Sequence, residues 1–297
     1  MGNPKISIVI RTLNAARWLP ELLTAIGVQQ LNNFAVETIL VDSGSTDGTI
    51  AIAERFGCRI TRIHKSDFTF GRSLNVGCEA ATGEILVFVS GHCVPIGDRW
   101  LESLCQPIND ERCDYTYGRQ VWREGYSKFS ERQLLQKYFP ETSRIPQDDF
   151  FCNNANAALR RSTWERYQFD EDVTGLEDMV LAKALWDDGG KIGYVAEAAV
   201  EHIHEENWQQ VKRRYEREAI ALQGIMPAVH VSFGDFVRYS IAGIMLDCAT
   251  ALQERRLWRE ITDIFMFRIM QYWGTYRGNN DHRKLSREAK ERYFYPR

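Results

Sequence analysis

Four short apolar runs in the first 90 residues alternate with segments of helical spacing, and this alternation restricts the fold more than any other feature. The runs are Lys5–Ile10, Val36–Val41, Cys58–Ile63 and Glu84–Val89. Compact runs rich in β-branched residues are typical of buried strands. The segments that separate them predict helices at 15–30, 50–56 and 71–81. Strands that alternate with helices predict an α/β fold with a mostly parallel, Rossmann-like sheet between two layers of helices.

The second half of the chain is less regular. Leu176–Trp186 has helical spacing and stops at a pair of glycines, and Ile192–Val200 reads as a strand. From Trp208 onward apolar residues recur on helical faces. We therefore expect an α/β domain over residues 1–205 and a C-terminal helical region over residues 206–297.

Composition and charge exclude several classes of protein. The net charge of -3 argues against a dedicated nucleic-acid binder, which is usually basic. No apolar stretch reaches the ~20 residues of a membrane span, which favours a cytoplasmic protein. The tail Arg283–Arg297 is basic and rich in aromatic residues. It favours helix packing or a contact in a homo-oligomer, and it leaves peripheral contact with a membrane surface open.

Polar side chains follow three of the predicted strands directly. They lie in Arg11–Asn14, Asp42–Ser45 and Ser90–His92. Ligands of open α/β sheets bind beyond the carboxyl ends of the strands, so these segments are candidates for one binding site. The stretch Val41–Thr49 is the most informative, since an Asp at a strand end can accept hydrogen bonds from a nucleoside. By itself it is equally consistent with an Asx turn before a helix.

Four segments together resemble family 2 glycosyltransferases. In chain order they are Ile8–Asn14, Val41–Thr49, Phe70–Glu84 and Gly175–Asp178. The resemblance runs from about residue 5 to about residue 215, and it is strongest to bacterial enzymes of surface-polysaccharide synthesis, including rhamnosyltransferase-like members. It implies the GT-A fold and an inverting transfer. The donor would be a UDP-, GDP- or dTDP-sugar, and the acceptor a saccharide or lipid-linked saccharide.

The resemblance also implies roles for residues that match the family pattern. Those on the donor side are Thr12, Asn14, Asp42, Ser43, Gly71, Arg72, Asn75, Ser90 and Gly91. Arg72 could neutralise phosphate charge, or it could be a solvated side chain on a helix surface. Those on the acceptor side are Asn153, Asn154, Arg119 and Trp122. The Trp122 ring could stack on a sugar or pack in the core.

Asp178 falls on the position of the catalytic base. A carboxylate that takes the proton of the acceptor hydroxyl accelerates transfer by about 10²–10⁴-fold. An ordinary aspartate has a pKa of ~3.9, so we expect Asp178 to be ionised at neutral pH. Glu177 beside it could orient the acceptor. The alternative for both residues is simple capping of a helix N-terminus.

The chain departs from the family where an acidic Asp-x-Asp motif usually holds a divalent cation, because it has Ser90–Pro95 there. Two solutions remain open. His92, with His202 and His204, could bind Mn²⁺, Mg²⁺ or a softer cation. Alternatively, cationic side chains and backbone N–H groups could hold the diphosphate without a metal.

Two rival functions follow from the same segments. A dinucleotide-dependent oxidoreductase needs a glycine-rich turn after the first strand, and the turn Arg11–Ala16 contains no glycine. A glycosyltransferase-like scaffold without activity fits the missing acidic motif, whereas the retained Glu177-Asp178 pair opposes it.

Overall fold

The computed structural model describes residues 5–30, 35–280 and 292–294. The chain divides into two compact units. The first comprises Met1–Val121, Phe139–Asp172 and Glu177–Ile203, and the second comprises Trp122–Tyr138, Val173–Leu176 and His204–Arg297. A functional division at residue 205 stays a prediction.

The first unit is built on one eight-stranded sheet. Its strands are β1 (Lys5–Thr12), β2 (Ala35–Asp42), β3 (Arg59–Arg62), β4 (Ile85–Ser90), β5 (Cys93–Pro95), β6 (Tyr115–Val121), β7 (Asn156–Arg160) and β8 (Ile192–His202). Their order across the sheet is β3-β2-β1-β4-β7-β6-β8-β5. Its helices are α1 (Leu19–Gly27), α2 (Thr49–Arg55), α3 (Phe70–Ala80), α4 (Trp100–Asn109), α6 (Arg161–Tyr167) and α7 (Glu177–Asp187). A short 3-10 turn spans Lys65–Asp67.

The parallel half of the sheet brings the predicted polar strand ends together. β1 lies between β2 and β4 and pairs in parallel with both, with Thr12 opposite Asp42 and Arg11 opposite Ser90. Ile8, Val9 and Ile10 on β1 are at most 1% exposed, so both faces of this strand are covered. The sequence prediction of an α/β sheet with these strands is confirmed.

In the other half of the sheet, only β8 was predicted from the sequence. β7 runs antiparallel to both β4 and β6, and β5 runs antiparallel to β8. Of the pairings among the described strands, four are parallel and three antiparallel. β5 has only three residues, and β6 and β7 include polar residues, so all three lack a long apolar run.

The second unit is helical in its described part. It consists of α5 (Phe129–Tyr138), α8 (Trp208–Ile225), α9 (Phe233–Gln253) and α10 (Leu257–Asn279). Gly274 and Gly278 let α10 approach α8 closely, because a Cβ at either position would meet a backbone oxygen of α8 at 2.3 or 2.1 Å. Capping boxes begin α8 at Asn207 and α9 at Ser232. Among the described residues, no helix is long and apolar enough to cross a membrane.

Candidate active site

The turn after β2 is organised around the carboxylate of Asp42. Its Oδ2 accepts the backbone N–H groups of Gly44 and Ser45, each at 2.9 Å. Its Oδ1 accepts the hydroxyls of Thr12, at 3.2 Å, and of Ser45. Asp42 is 3% exposed. The Asx turn is therefore present, and a nucleoside could reach this carboxylate only by displacing one of these donors.

The loops that follow β1 and β2 are joined by reciprocal hydrogen bonds. The N–H of Asn14 donates to the Ser45 hydroxyl at 2.8 Å, and Asn14 Oδ1 accepts the N–H of Thr46 at 2.9 Å. Asn14 has a φ of 53°, which Asn tolerates better than most residues. Ser43 lies beneath this loop, where its hydroxyl donates to the Thr12 carbonyl. The two loops thus form one polar rim, with Asn14 exposed on it.

The segment predicted to approach the diphosphate lies at the start of α3. A Cβ at Gly71 would lie 2.0 Å from the Asp170 carbonyl oxygen, so only glycine allows this approach. Asn75 is buried and donates to both the Phe169 carbonyl and Glu171. Arg72 is exposed and forms a surface ion pair of 3.3 Å with Glu171. Asn75 therefore holds the 169–171 segment against α3. Among Gly71, Arg72 and Asn75, it is Arg72 that presents its side chain to solvent.

Gly91 and His92 follow β4, as the sequence placed them. Gly91 packs closely on the loop after β1, with its Cβ position 3.3 Å from the Arg11 carbonyl oxygen. The His92 ring stacks on His202 at the end of β8, and the two Nε2 atoms are 3.1 Å apart. Two of the three histidines predicted to act together therefore meet within the first unit.

A hydrogen-bonded chain fixes the orientation of His202. Its Nδ1 lies 2.5 Å from Gln120 Oε1, and Gln120 Nε2 donates to Asn153 Oδ1 at 2.9 Å. An amide oxygen only accepts, so Nδ1 carries the proton and the neutral ring has its lone pair on Nε2, where it can accept from His92 Nε2.

His204 belongs to the second unit, where it contacts acidic residues. Its Nδ1 lies 2.7 Å from Glu131 Oε1, which also accepts from Arg214 at 2.8 Å. Arg214 bonds Glu206 as well. Burial opposes ionisation of Glu131, but His204 and Arg214 outweigh it and lower its pKa to about 2. Arg214 thus supplies a positive charge to both carboxylates.

Asp178 lies in the first turn of α7 and is buried. Its Oδ2 accepts the backbone N–H of Asn154, and its Oδ1 accepts that of Met179, both at 2.8 Å. Burial raises the pKa of Asp178 to about 7, and the negative charge of Glu177 adds to this rise. The two N–H donors and Arg11 act in the opposite direction. The expectation of an ordinary aspartate pKa is therefore wrong, because the sequence does not reveal this desolvation.

Glu177 forms an ion pair with an arginine near the end of β1. Its Oε1 accepts from Arg11 at 3.0 Å, and Arg11 also donates to the Phe70 carbonyl. Directly before it, Leu176 has a φ of 57°, a left-handed conformation that is strained for a residue with a branched side chain. Such strain is characteristic of backbone that must place particular side chains.

The four residues predicted for the acceptor side have different surroundings. Asn154 is buried, with its Oδ1 accepting the Tyr115 hydroxyl. Asn153 bonds Gln120, as described above, and Arg119 forms a 2.7 Å ion pair with Glu141. Trp122 lies in the second unit, where Arg132 sits 5.5 Å above its ring. The structure thus brings Asn153 and Asn154 beside the Asp178 and His202 networks within the first unit.

Comparison with known proteins identifies the family. Residues 7–167 match the family model described as "Glycosyl transferase family 2". The chain belongs to glycosyltransferase family 2. The O-antigen chain rhamnosyltransferase WbaN of Salmonella anatum is 30% identical over 224 residues, which cover 71% of this chain and 70% of WbaN. The protein is accordingly a glycosyltransferase, and the family recognised from the sequence motifs is confirmed.

Solved structures show that this glycosyltransferase has the GT-A fold. The mannosyltransferase PcManGT from Pyrobaculum calidifontis, in complex with GDP-Man and Mn²⁺, matches with a TM-score of 0.61 at 16% identity, covering 94% of this chain and 88% of that one. TarS of S. aureus matches with a TM-score of 0.54 at 16% identity. That match covers 90% of this chain but only 55% of the TarS chain.

The sequence motifs give no role to two residues that arrange these groups, although both belong to polar segments. Arg11 lies at a polar strand end, and its partner Glu177 lies 166 positions away. Gln120 links His202 to Asn153 across 82 and 33 positions. A charged residue at the end of a buried strand is itself a signal for Arg11. No local pattern marks Gln120.

Proposed function

We propose that this glycosyltransferase transfers a sugar from a nucleotide-sugar donor with inversion at the anomeric carbon, and that Asp178 is the general base. The observation that carries the proposal is the environment of Asp178. Its pKa of about 7 makes the carboxylate a stronger base than an ordinary aspartate while it stays substantially ionised at neutral pH. A residue that only capped a helix would not need this combination of burial and a charged neighbour.

The reaction is a single displacement. Asp178 takes the proton of the acceptor hydroxyl as that oxygen forms its bond to the anomeric carbon. The bond from this carbon to the diphosphate oxygen breaks on the opposite face, and the nucleoside diphosphate leaves with the electron pair. The backbone N–H groups of Asn154 and Met179 hold the carboxylate in place throughout. Arg11 pairs with Glu177 and lowers the pKa of Asp178, so it limits the rise that the negative charge of Glu177 causes.

The donor is assigned to the rim formed by the loops after β1 and β2. In this proposal Asp42 holds its own turn in place by hydrogen bonds, and Asn14 and the surrounding backbone contact the nucleotide. Gly71 and Arg72 lie on the diphosphate side, where the solvent-exposed guanidinium can exchange Glu171 for phosphate. PcManGT, which shares this fold, is described with GDP-Man bound.

A divalent cation fits the first unit at His92 and His202. The Nε2 atoms of the two rings lie 3.1 Å apart, so both could serve as ligands of one divalent ion. The contact from His202 Nδ1 to Gln120 fixes the tautomer that presents Nε2, as is usual for metal-binding histidines. A bound cation would neutralise charge that develops on the leaving diphosphate. PcManGT is described with Mn²⁺.

The acceptor is assigned to the saccharide or lipid-linked saccharide class, because WbaN is named for transfer to an O-antigen chain. The same name specifies rhamnose as the transferred sugar, so donors that carry a deoxyhexose are the first to test. Asn153 Nδ2 supplies a donor for a sugar hydroxyl, whereas its Oδ1 already accepts from Gln120 and from the Ala155 N–H. Arg119 is assigned to the same side of the site.

Turnover separates this proposal from a scaffold that has lost activity. Nucleotide release from UDP-, GDP- and dTDP-sugars would be measured with saccharide acceptors. We expect Asp178→Asn to lose about 10²–10⁴-fold in rate while keeping nucleotide binding. The matched control is Asp187→Asn at the other end of α7, whose exposed carboxylate pairs with Lys183. Equal rates for Asp178→Asn and the wild type would reject the base assignment.

Thermal stabilisation by nucleotide tests the cation. The probes are UDP, GDP and dTDP, each with Mn²⁺ and with EDTA. A nucleotide at ~100 times its dissociation constant stabilises by about 2.7 kcal/mol. We expect His92→Ala and His202→Ala to abolish the Mn²⁺-dependent part of the stabilisation by nucleotide. The control is His230→Ala, at an exposed position, which should keep this stabilisation. Full stabilisation in EDTA would instead support diphosphate binding without a metal.

A further inference from the structure

The pairing of β6 with β8 is interrupted just before the candidate cation ligands. β6 advances two residues from Gly118, which lies opposite Val195, to Gln120, which lies opposite Val200. β8 advances five residues over the same interval, so it holds three extra residues there. Bulges re-aim the side chains that follow them and are over-represented next to active sites. We refer to residues 196–199 as the β8 bulge.

The β8 bulge decides where His202 lies. Without the three extra residues, Gln120 would lie opposite Glu197, and His202 would be displaced by about 10 Å along the strand. A shift by an odd number of residues would also turn its ring to the other face of the sheet. The bulge therefore brings His202 Nδ1 within 2.5 Å of Gln120 Oε1. Beyond the bulge, β5 pairs with β8 and sets Cys93 opposite His202, which places the adjacent His92 beside the same ring.

Asn156 at the start of β7 holds the β8 bulge in place. Its Nδ2 donates to the Ala198 carbonyl in the bulge at 2.8 Å and to the Arg119 carbonyl on β6 at 3.2 Å. Its Oδ1 accepts the indole N–H of Trp100 at 2.9 Å. An indole N–H only donates and a carbonyl only accepts, so these partners fix the orientation of the amide. Asn156 is fully buried and uses its oxygen and both of its N–H groups.

Gly118 leaves room for this arrangement. A Cβ at this position would lie 2.1 Å from the Ala198 carbonyl oxygen and 2.3 Å from Asn156 Nδ2. Only glycine therefore lets the carbonyl of the bulge and the amide of Asn156 meet beside β6. Gly118 and Asn156 thus stabilise the same local structure by independent means, one by the space that it leaves and the other by hydrogen bonds.

We propose that Asn156 is a positioning residue for sugar transfer. By holding the β8 bulge, it keeps the His202 ring on Gln120 and beside His92, in the orientation that binds the cation of the donor diphosphate. Asn156 acts through His202 rather than on the reacting atoms. The proposal rests on the proposed function for its chemistry, because the cation belongs to that function. The orientation of the ring is a property of the protein alone.

The orientation of the ring is measured by ¹⁵N NMR of protein labelled at its histidine nitrogens, with the signals of His202 assigned from His202→Ala. In the wild type we expect one neutral tautomer, with the proton on Nδ1, because Gln120 accepts it. Asn156→Asp keeps an acceptor for Trp100 but sets an oxygen against the two carbonyls, so the bulge should open. Gly118→Ala should open it by steric overlap. Each variant should show a mixture of the two His202 tautomers.

The matched control is Thr116→Val, at a buried position of β6 whose hydroxyl donates to the Leu104 carbonyl. This variant should melt at a lower temperature, yet keep the single His202 tautomer and the Mn²⁺-dependent stabilisation by UDP, GDP or dTDP. Asn156→Asp and Gly118→Ala should lose that stabilisation, whereas any stabilisation by the same nucleotides in EDTA should be unchanged. A role limited to general stability would affect all three variants alike.

Failure of this proposal differs from failure of the proposed cation site. A wild-type protein without Mn²⁺-dependent stabilisation would reject the cation site, and the His202 tautomer would still test Asn156. A mixture of tautomers in the wild type, or the single tautomer in whichever variant folds, would overturn the positioning role. Trp100→Phe removes only the bond that orients the amide, so it serves if Asn156→Asp and Gly118→Ala do not fold. It should increase the second tautomer, and an unchanged spectrum would overturn the proposal.

Discussion

Arg11 on the central strand and Glu177 at the start of α7 form a 3.0 Å ion pair that joins positions 166 residues apart. The pair stands beside Asp178, whose pKa it influences from both sides. Glu177 raises that pKa and Arg11 lowers it. Burial and the charges of these two neighbours together thus set the pKa of Asp178.

The wild-type rate should rise as pH increases through about 7. Asp178 accepts a proton only when ionised, and burial raises its pKa to about 7. Below this pH the protonated form dominates and turnover falls. The measurement is kcat/KM from pH 5 to 9 with a saccharide acceptor. A rate that is constant between pH 5 and 9 would show that no group with such a pKa is the base.

Arg11→Met should move this rise in rate to higher pH. Removing the guanidinium takes away an interaction that favours the charged form of Asp178, and it leaves Glu177 without its partner. Arg11→Lys retains the positive charge and is the matched control, so its profile should stay near that of the wild type. If both variants shift equally, the charge of Arg11 is not the cause.

Glu177→Gln should move the rise in the opposite direction. Burial is the main cause of the raised pKa of Asp178, and the Glu177 charge is the next. A neutral amide removes that charge but can still accept from Arg11. The pH–rate profile should therefore shift to lower pH. The maximal rate should fall as well, because a lower pKa makes Asp178 a weaker base. An unchanged profile would contradict electrostatic coupling between the two carboxyls.

Gly71→Ala should destabilise the protein by about 1–3 kcal/mol, because the new Cβ would lie 2.0 Å from the Asp170 carbonyl oxygen. It should also weaken nucleotide binding, since α3 and the 169–171 segment must separate. Thermal melting with and without nucleotide measures both effects. Gly224→Ala in α8 is the control, because its Cβ meets no atom within 4 Å and alanine favours a helix.

Asp247→Ala should destabilise the second unit by about 3–5 kcal/mol, since it leaves the buried Arg268 guanidinium without its partner. Replacing both residues, as Asp247→Leu with Arg268→Met, should recover most of that loss, because no charge is then buried. Denaturant unfolding of the three proteins gives the values. A double variant less stable than Asp247→Ala would show that the pair contributes more than its own desolvation costs.

The sequence by itself determined the strands of the parallel half, the polar segments at their ends and the family. These features depend on contiguous residues, since a buried strand needs an apolar run and a tight turn needs small polar residues. It also placed Asp178 at the start of a helix. It did not determine β7, because that strand is short and its pairing partners β4 and β6 are distant in the chain.

Only the tertiary structure decided the protonation and the hydrogen-bond partners of the site residues. The raised pKa of Asp178 depends on burial and on Glu177. The orientation of His202 depends on Gln120, which lies 82 positions away. Asp42 is engaged by its own turn, although its position predicted direct contact with the nucleotide. Desolvation and hydrogen bonding act through space, so a motif can name the side chain but not its protonation or its partners.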